Sequence, residues 1–523
     1  MNNVNLLDCT LRDGGYVNNW HFGNQSIKNI VKKLFVSNVD YIECGYLTDK
    51  INTTIEDTQF NSIESVKKIL PDSTSVGNYA IMINYGDYQI DKIPVADEFS
   101  PIIRVCFHKT HADKALLYCE RLIKYGYRVF VQPMASLSYS DIEFIELINR
   151  VNEINPQCFY IVDSFGVMED NDFNRLILVA DNNLKSSILL GYHSHNNLQQ
   201  AYENAKMFVS KNLKHDIVID ASVYGMGRGA GNLNMELFAS YLNNNYGKKY
   251  NTDAFLDIMD NYLKPVFNDH FWGYSLPYYL SAQYNCHPNY ASYFADKNTL
   301  SNKSMKQLLS SLPIEVKSSY SIEKAEKFYL DFQRRYVDDN AVLQKLKLVL
   351  EQRNVLLLAP GKSILTKNDS IKAFIKENNP VIISINVNLN DFDCDYVFCA
   401  NEKRIQNLTL DNDCKLILTS NIEQDKYEEL KVNYASYLVD NKLIADNPTI
   451  MLINILMEIG KEKVYIAGFD GYSPISSENY FSDQLSMGTS ITTKMQKNVL
   501  IKSEILEMRK NIDIVFVTPS LYE

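Results

Sequence analysis

The 523 residues are too many for one ordinary domain, so two or three are expected. A hydrophobic share of 46% against 22% charged residues is that of a soluble globular protein. The formal net charge of −11, with no long basic run, argues against nucleic acid and anionic membrane as main partners.

The cysteines at positions 9, 44, 106, 119, 158, 286, 394, 399 and 414 form no C-x-x-C pair, and their number is odd. A disulfide framework or zinc ribbon is therefore not expected, and reduced thiols in a cytoplasm fit best. The first residues run straight into a strand, with no basic region and apolar core of a signal peptide ahead of it. No stretch of about 18 apolar residues is present to span a bilayer. A cytoplasmic location is the expectation.

Short β-rich runs alternate with amphipathic stretches from residue 3 to about 245. Strands are predicted at 4–7, 39–44, 75–80, 102–107, 128–132, 159–163, 187–193 and 217–221. Helical patterns lie between them at 26–36, 59–69, 111–125, 139–153, 171–181, 197–211 and 234–246. Eight strands, each followed by a helix, make the count of a (β/α)8 TIM barrel over residues 1–250. Chemistry in such barrels sits at the C-terminal ends of the strands. Polar residues cluster there: Arg12 and Asp13, Glu43, Gln132, Asp163 and Ser164, His193 and His195.

Residues 251–353 read as a helical extension and linker, rich in aromatics at 273–294 and charged from Glu323 to Arg353. A new pattern begins at NVLLLAPGKSI, 354–364, followed by apolar runs at 380–387, 395–400, 415–420, 463–471 and 512–517. This predicts a Rossmann-like, doubly wound α/β domain over 354–523. A turn at Gly361 and Ser363, at the edge of its first strand, would present backbone N–H groups to a phosphate.

The organising stretch is NLLDCTLRDGG, 5–15. Its strand ends in Arg12 and Asp13, and Gly14 and Gly15 then turn the backbone away. About 180 residues later GYHSHNN supplies His193 and His195, which as i and i+2 of a strand share one face. One carboxylate and two imidazoles form a facial set for a divalent ion with open positions, suited to Mn2+, Mg2+, Co2+ or Zn2+. Glu43 and Asp163 are read as strand-end carboxylates behind the histidines.

DCTLRDGG, GYHSHNNLQQAYENA and DASVYGMGRGAGN, in this order and spacing, resemble the pyruvate-aldolase branch of the DRE-TIM (HMGL-like) metallolyases. The nearest fit is 4-hydroxy-2-oxovalerate aldolase, over roughly residues 1–300. The resemblance implies a class II aldolase, a carbon–carbon lyase that makes or cleaves a bond between the enolate of pyruvate and an aldehyde. It implies Mn2+ or Mg2+ at Asp13, His193 and His195, with Asn232 near the ion, Arg12 beside the enolate, and a homo-oligomer. It also implies a tyrosine from the segment after the barrel, matched to Tyr290. Where those aldolases carry a catalytic histidine this chain has Tyr16, and His21 is the other candidate. APGKSI and VYIAGFDGYS resemble turns of a sialyltransferase-like family that includes 6-hydroxymethylpterin pyrophosphokinase-like proteins. That likeness implies a nucleotide or nucleotide-sugar at Gly361 and Ser363, and the pairing of the two domains adds the expectation of a sugar-derived aldehyde and a place in polysaccharide biosynthesis. The rival expectations are a Claisen-type acyl-CoA condensation and a non-catalytic barrel serving the second domain as a scaffold.

Overall fold

The computed structural model describes residues 3–71, 78–297, 299–389, 391–406, 408–410, 414–441, 443–482, 485 and 490–523. The chain divides into two compact units, Met1–Ser292 with Pro313–Ser319, and Tyr293–Leu312 with Tyr320–Glu523.

The first unit is an eight-stranded parallel barrel. Its strands are β1 Val4–Asp8, β2 Tyr41–Leu47, β3 Tyr79–Asn84, β4 Ile102–Phe107, β5 Val129–Pro133, β6 Cys158–Asp163, β7 Leu189–Ser194 and β8 Ile217–Ala221. Each pairs with the next, and Leu7 of β1 closes the ring by pairing with both Tyr41 and Asp220. Helices Asn24–Val36, Ala112–Lys124, Asp141–Ile154, Asp170–Asn183, Ala201–Ser210 and Met235–Tyr246 bury apolar stripes against the outside. Helix Asp141–Ile154 starts where the Ser140 side chain accepts from the Glu143 N–H, with Glu143 returning the contact.

The barrel expectation holds with two corrections. The third strand is Tyr79–Asn84, later than predicted; the first part of its expected span, 75–77, lies outside the described residues. It is followed only by the short turn Ile90–Lys92, so not every strand has its helix.

The interior is layered by the two-residue period of the strands. Leu7, Ala80, Ile102, Phe130, Cys158 and Val218 fill the lower part. Two residues further along their strands stand Gln132, Tyr160, Arg104 and Asp220, all buried. Gly191 makes room for that layer: a Cβ there would lie 2.4 Å from the Tyr160 ring. One more step of two along the same strand reaches His193, and another reaches His195.

Among the described residues the second unit holds seven parallel strands, β9 Val355–Leu358, β10 Val381–Ile385, β11 Tyr396–Cys399, β12 Lys415–Thr419, β13 Glu429–Val432, β14 Lys463–Ala467 and β15 Asp513–Phe516. Their order is β13-β12-β11-β10-β9-β14-β15, so the sheet grows one way from β9 and then the other. β13 had no counterpart in the sequence reading. It is a half-buried edge strand whose Glu429 and Lys431 pair at 2.7 Å, which hides any apolar run.

Candidate metal centre

β1 passes into a single helical turn, Thr10–Asp13, which carries Arg12 and Asp13 over the barrel axis. Thr10 fastens that turn: its hydroxyl donates to Asp8 at 2.7 Å and accepts the Val223 N–H at 2.8 Å. Arg12 and Asp13 are 3% and 1% exposed.

Asp13, His193 and His195 each offer one ligand atom, and these atoms lie within 4.8 Å of one another. Asn232 joins them from the loop after β8. Its backbone bridges to His195, and its Nδ2 donates to Asp13 Oδ2 at 2.7 Å. The loop comes this close because Gly227 has no side chain; a Cβ there would lie 2.4 Å from Asn232 Nδ2 and 2.7 Å from Asp13 Oδ2. Asn232 Oδ1 and His195 Nδ1 are buried without a hydrogen-bond partner. Orphaned acceptors around a buried carboxylate are what a cation would satisfy, so the residues fit a divalent ion.

The electrostatics favour the same occupant. Burial alone would raise the Asp13 carboxyl, but the Arg12 guanidinium, then His195 and His193, hold it well below the usual carboxylate range. Burial, with Arg228, His193 and Arg12, pushes His195 down to about 3, so its ring is neutral near pH 7. A carboxylate and a neutral imidazole are the forms that bind metal.

Beneath the site runs a chain of buried charges. Arg12 Nη1 donates to Asp13 Oδ1 at 2.5 Å and Arg12 Nε to Glu43 Oε2 at 2.7 Å. Arg104 Nη1 lies 2.7 Å from the same Glu43 oxygen, and Arg104 Nη2 pairs with Asp220. Asp220 also accepts from the Tyr160 hydroxyl at 2.9 Å, and its Oδ2 is 2.9 Å from His193 Nδ1. The acid behind a histidine is therefore Asp220. Glu43 bridges two arginines instead, and Asp163 accepts the N–H groups of Val167 and Met168, both at 3.0 Å. Arg104 and Asp220 were missed in the sequence because both sit inside apolar runs, IIRVCF and IVIDA. A charge in such a run is the signal: it is affordable in a barrel only when another strand supplies its partner.

The other expected site residues separate. Tyr16 lies at the mouth, its hydroxyl 3.1 Å from that of Tyr46 and its ring packed on Trp20. Burial pushes its phenol up, so near pH 7 the hydroxyl keeps its proton. His21 is not brought to Asp13: its side chain is 65% exposed and its Nδ1 lies 3.0 Å from Asp57. Tyr290 is fully buried and donates to the Ser319 carbonyl at 3.2 Å, so it holds its own segment together. His287, from the same segment, does reach the mouth, with Nε2 3.2 Å from Arg228 Nη1. In the second unit the Gly361 N–H donates to Gly468 O at 2.8 Å and the Ser363 N–H to Asp470 at 2.7 Å. A phosphate at this turn would have to displace the Asp470 carboxylate. Among the described residues no helix is long and apolar enough to cross a membrane.

Residues 3–260 match the HMGL-like family model. The chain is 23% identical over 237 residues to the oxaloacetate decarboxylase of Mycobacterium tuberculosis, covering 45% of this chain and 69% of that one. It is 23% identical over 268 residues to the 4-hydroxy-2-oxovalerate aldolase of Bacillus cereus, covering 50% and 76%. The solved N-terminal domain of a Bacteroides vulgatus protein is 26% identical, with a TM-score of 0.49, over 58% of this chain and 99% of that one. The barrel, with its Asp-His-His cluster at the strand ends, belongs to the HMGL-like family of lyase-type enzymes.

Proposed function

We propose that the barrel is a divalent-metal-dependent pyruvate aldolase, making or cleaving a C–C bond between the enolate of pyruvate and an aldehyde. The observation that carries this is the cluster of Asp13, His193 and His195 with the Arg12 guanidinium fixed beside it. Mn2+ or Mg2+ suits the oxygen donors of Asp13 and Asn232 Oδ1, which stand beside the two imidazoles. When bound, such an ion supplies Lewis acidity to the carbonyl of a 2-oxo acid.

The chain's own residues supply the rest. Arg12 is held by Asp13 and Glu43 on one side, while its Nη2 is buried without a partner. That leaves one preorganised, charged N–H donor for an oxygen on which negative charge develops. Tyr16, Trp20 and Tyr46 form an aromatic wall beside it. The names of the relatives support the same chemistry: oxaloacetate and 4-hydroxy-2-oxovalerate both break between C3 and C4 and both leave the enolate of pyruvate.

The test is release of pyruvate from oxaloacetate and from 4-hydroxy-2-oxo acids by the full chain, with Mn2+ or Mg2+ and with chelator. Pyruvate release that needs the ion and vanishes in His193→Ala supports the proposal. Thiol release from acetyl-CoA, without any pyruvate-forming activity, would assign the barrel to acyl-CoA condensation instead.

A further inference from the structure

Arg228 is a cation at the barrel mouth. It stands in the loop Gly225–Gly231, which Asn197 pins by accepting the Ala230 N–H at 2.8 Å and donating to Phe165 O at 2.9 Å. Among the described residues no carboxylate lies within 4.0 Å of its guanidinium. Its Nη2 donates to the Ser164 carbonyl at 3.1 Å, and its guanidinium carbon lies 5.3 Å from the centre of the Tyr16 ring. Its Nε is buried and donates to nothing. A half-buried guanidinium with an unmet donor is costly unless something else completes it.

His287 adds a second, independent sign. Its Nδ1 lies 3.2 Å from the Asn289 N–H and its Nε2 3.2 Å from Arg228 Nη1. A neutral imidazole accepts at one nitrogen only, so these two donors compete for it and one is left over. A surplus of donors at a site mouth fits an oxyanion. Arg228 touches none of Asp13, His193, His195 or Asn232 by hydrogen bond. The residue before it, Gly227, packs against Asp13 Oδ2 and Asn232 Nδ2, so Arg228 stands in the loop that lines the donor cluster.

We infer that Arg228 and His287 form an anion subsite for the second substrate, so that the aldehyde carries a carboxylate or a phosphate. This rests on the pyruvate-aldolase reading above. Arg12 remains to meet the charge of the pyruvate half; Arg228 meets that of its partner. A guanidinium fork suits both oxyanions, and the substrate series tells them apart.

The experiment measures aldol addition by the metal-loaded full chain, with pyruvate and matched aldehydes. Glyoxylate is set against acetaldehyde, and glyceraldehyde 3-phosphate against glyceraldehyde. The expected result is a preference of about tenfold or more in kcat/KM for one anionic member, the scale of one charged hydrogen bond. Arg228→Gln raises KM for that aldehyde and erases the preference, while Arg228→Lys retains part of it. His287→Asn raises the same KM, which tests the subsite should the arginine variants fail to fold. Equal rates with charged and neutral aldehydes overturn the subsite. A rise in KM for pyruvate as large as that for the aldehyde also overturns it, because the guanidinium then serves the pyruvate carboxylate. Absence of any pyruvate proton exchange is a different failure: it removes the aldolase reading, and the subsite with it.

Discussion

Asp220 Oδ2 lies 2.9 Å from Nδ1 of His193, and the same carboxylate is held from below by Arg104 and Tyr160. The acid that orients the histidine is thus itself fixed by a cation and a hydroxyl buried in the barrel. Asp220→Asn keeps the shape but loses the charge. The expected result is a fall in metal affinity of about 10- to 100-fold, read by calorimetric titration with Mn2+ on folded protein. Unchanged affinity would make Asp220 a partner of Arg104 alone.

Arg12 has a fork geometry that lysine lacks: Nη1 meets Asp13, Nε meets Glu43, and Nη2 is left over. Arg12→Lys keeps a positive charge but cannot make all three contacts. A drop of about 10²- to 10³-fold in kcat at saturating metal is expected, the cost of losing one preorganised oxyanion donor. A change confined to KM for pyruvate would show that Arg12 only binds.

Gly227→Ala places a methyl group against Asn232 Nδ2 and Asp13 Oδ2. The loop has to shift, at a cost of roughly 1–3 kcal/mol. Thermal denaturation should show a lower Tm, and metal titration a weaker site. A variant as stable and as tight as the parent would mean that the loop does not approach Asp13 in solution.

Asp8 makes stability depend on pH. Burial raises its carboxyl from 3.8 to about 7, against the lowering effect of its bonds with Thr10. Unfolded, it titrates near about 3.9. Below that value both states are protonated and the group contributes nothing. Between about pH 4 and pH 7 the unfolded chain releases the proton and the fold keeps it, so stability falls as pH rises. Asp8→Asn removes this slope. Its Tm should gain on the parent's steadily across that window, and parallel curves would contradict the assignment.

Much of this was legible in the chain because barrel geometry is written locally. His193 and His195 share a face by spacing alone, and Asp13 follows the first strand as expected, although the strand ends at Asp8 and a helical turn carries Arg12 and Asp13. What escaped depends on closure of the ring. Arg104 and Asp220 are 116 residues apart and meet only because β4 and β8 face each other across the interior. Tyr290 was matched by its place after the barrel, but that segment turns its ring inward and sends His287 to the mouth. His21 follows the motif closely in sequence, yet its side chain is mostly exposed and pairs with Asp57.

The most direct measurement is exchange of the pyruvate methyl protons for deuterium, followed by NMR on the full chain loaded with Mg2+, since it needs no aldehyde. Exchange that is lost with chelator, in Asp13→Asn and in His193→Ala is the predicted result. No exchange from protein that binds the ion at one per chain would contradict enolate formation at this centre.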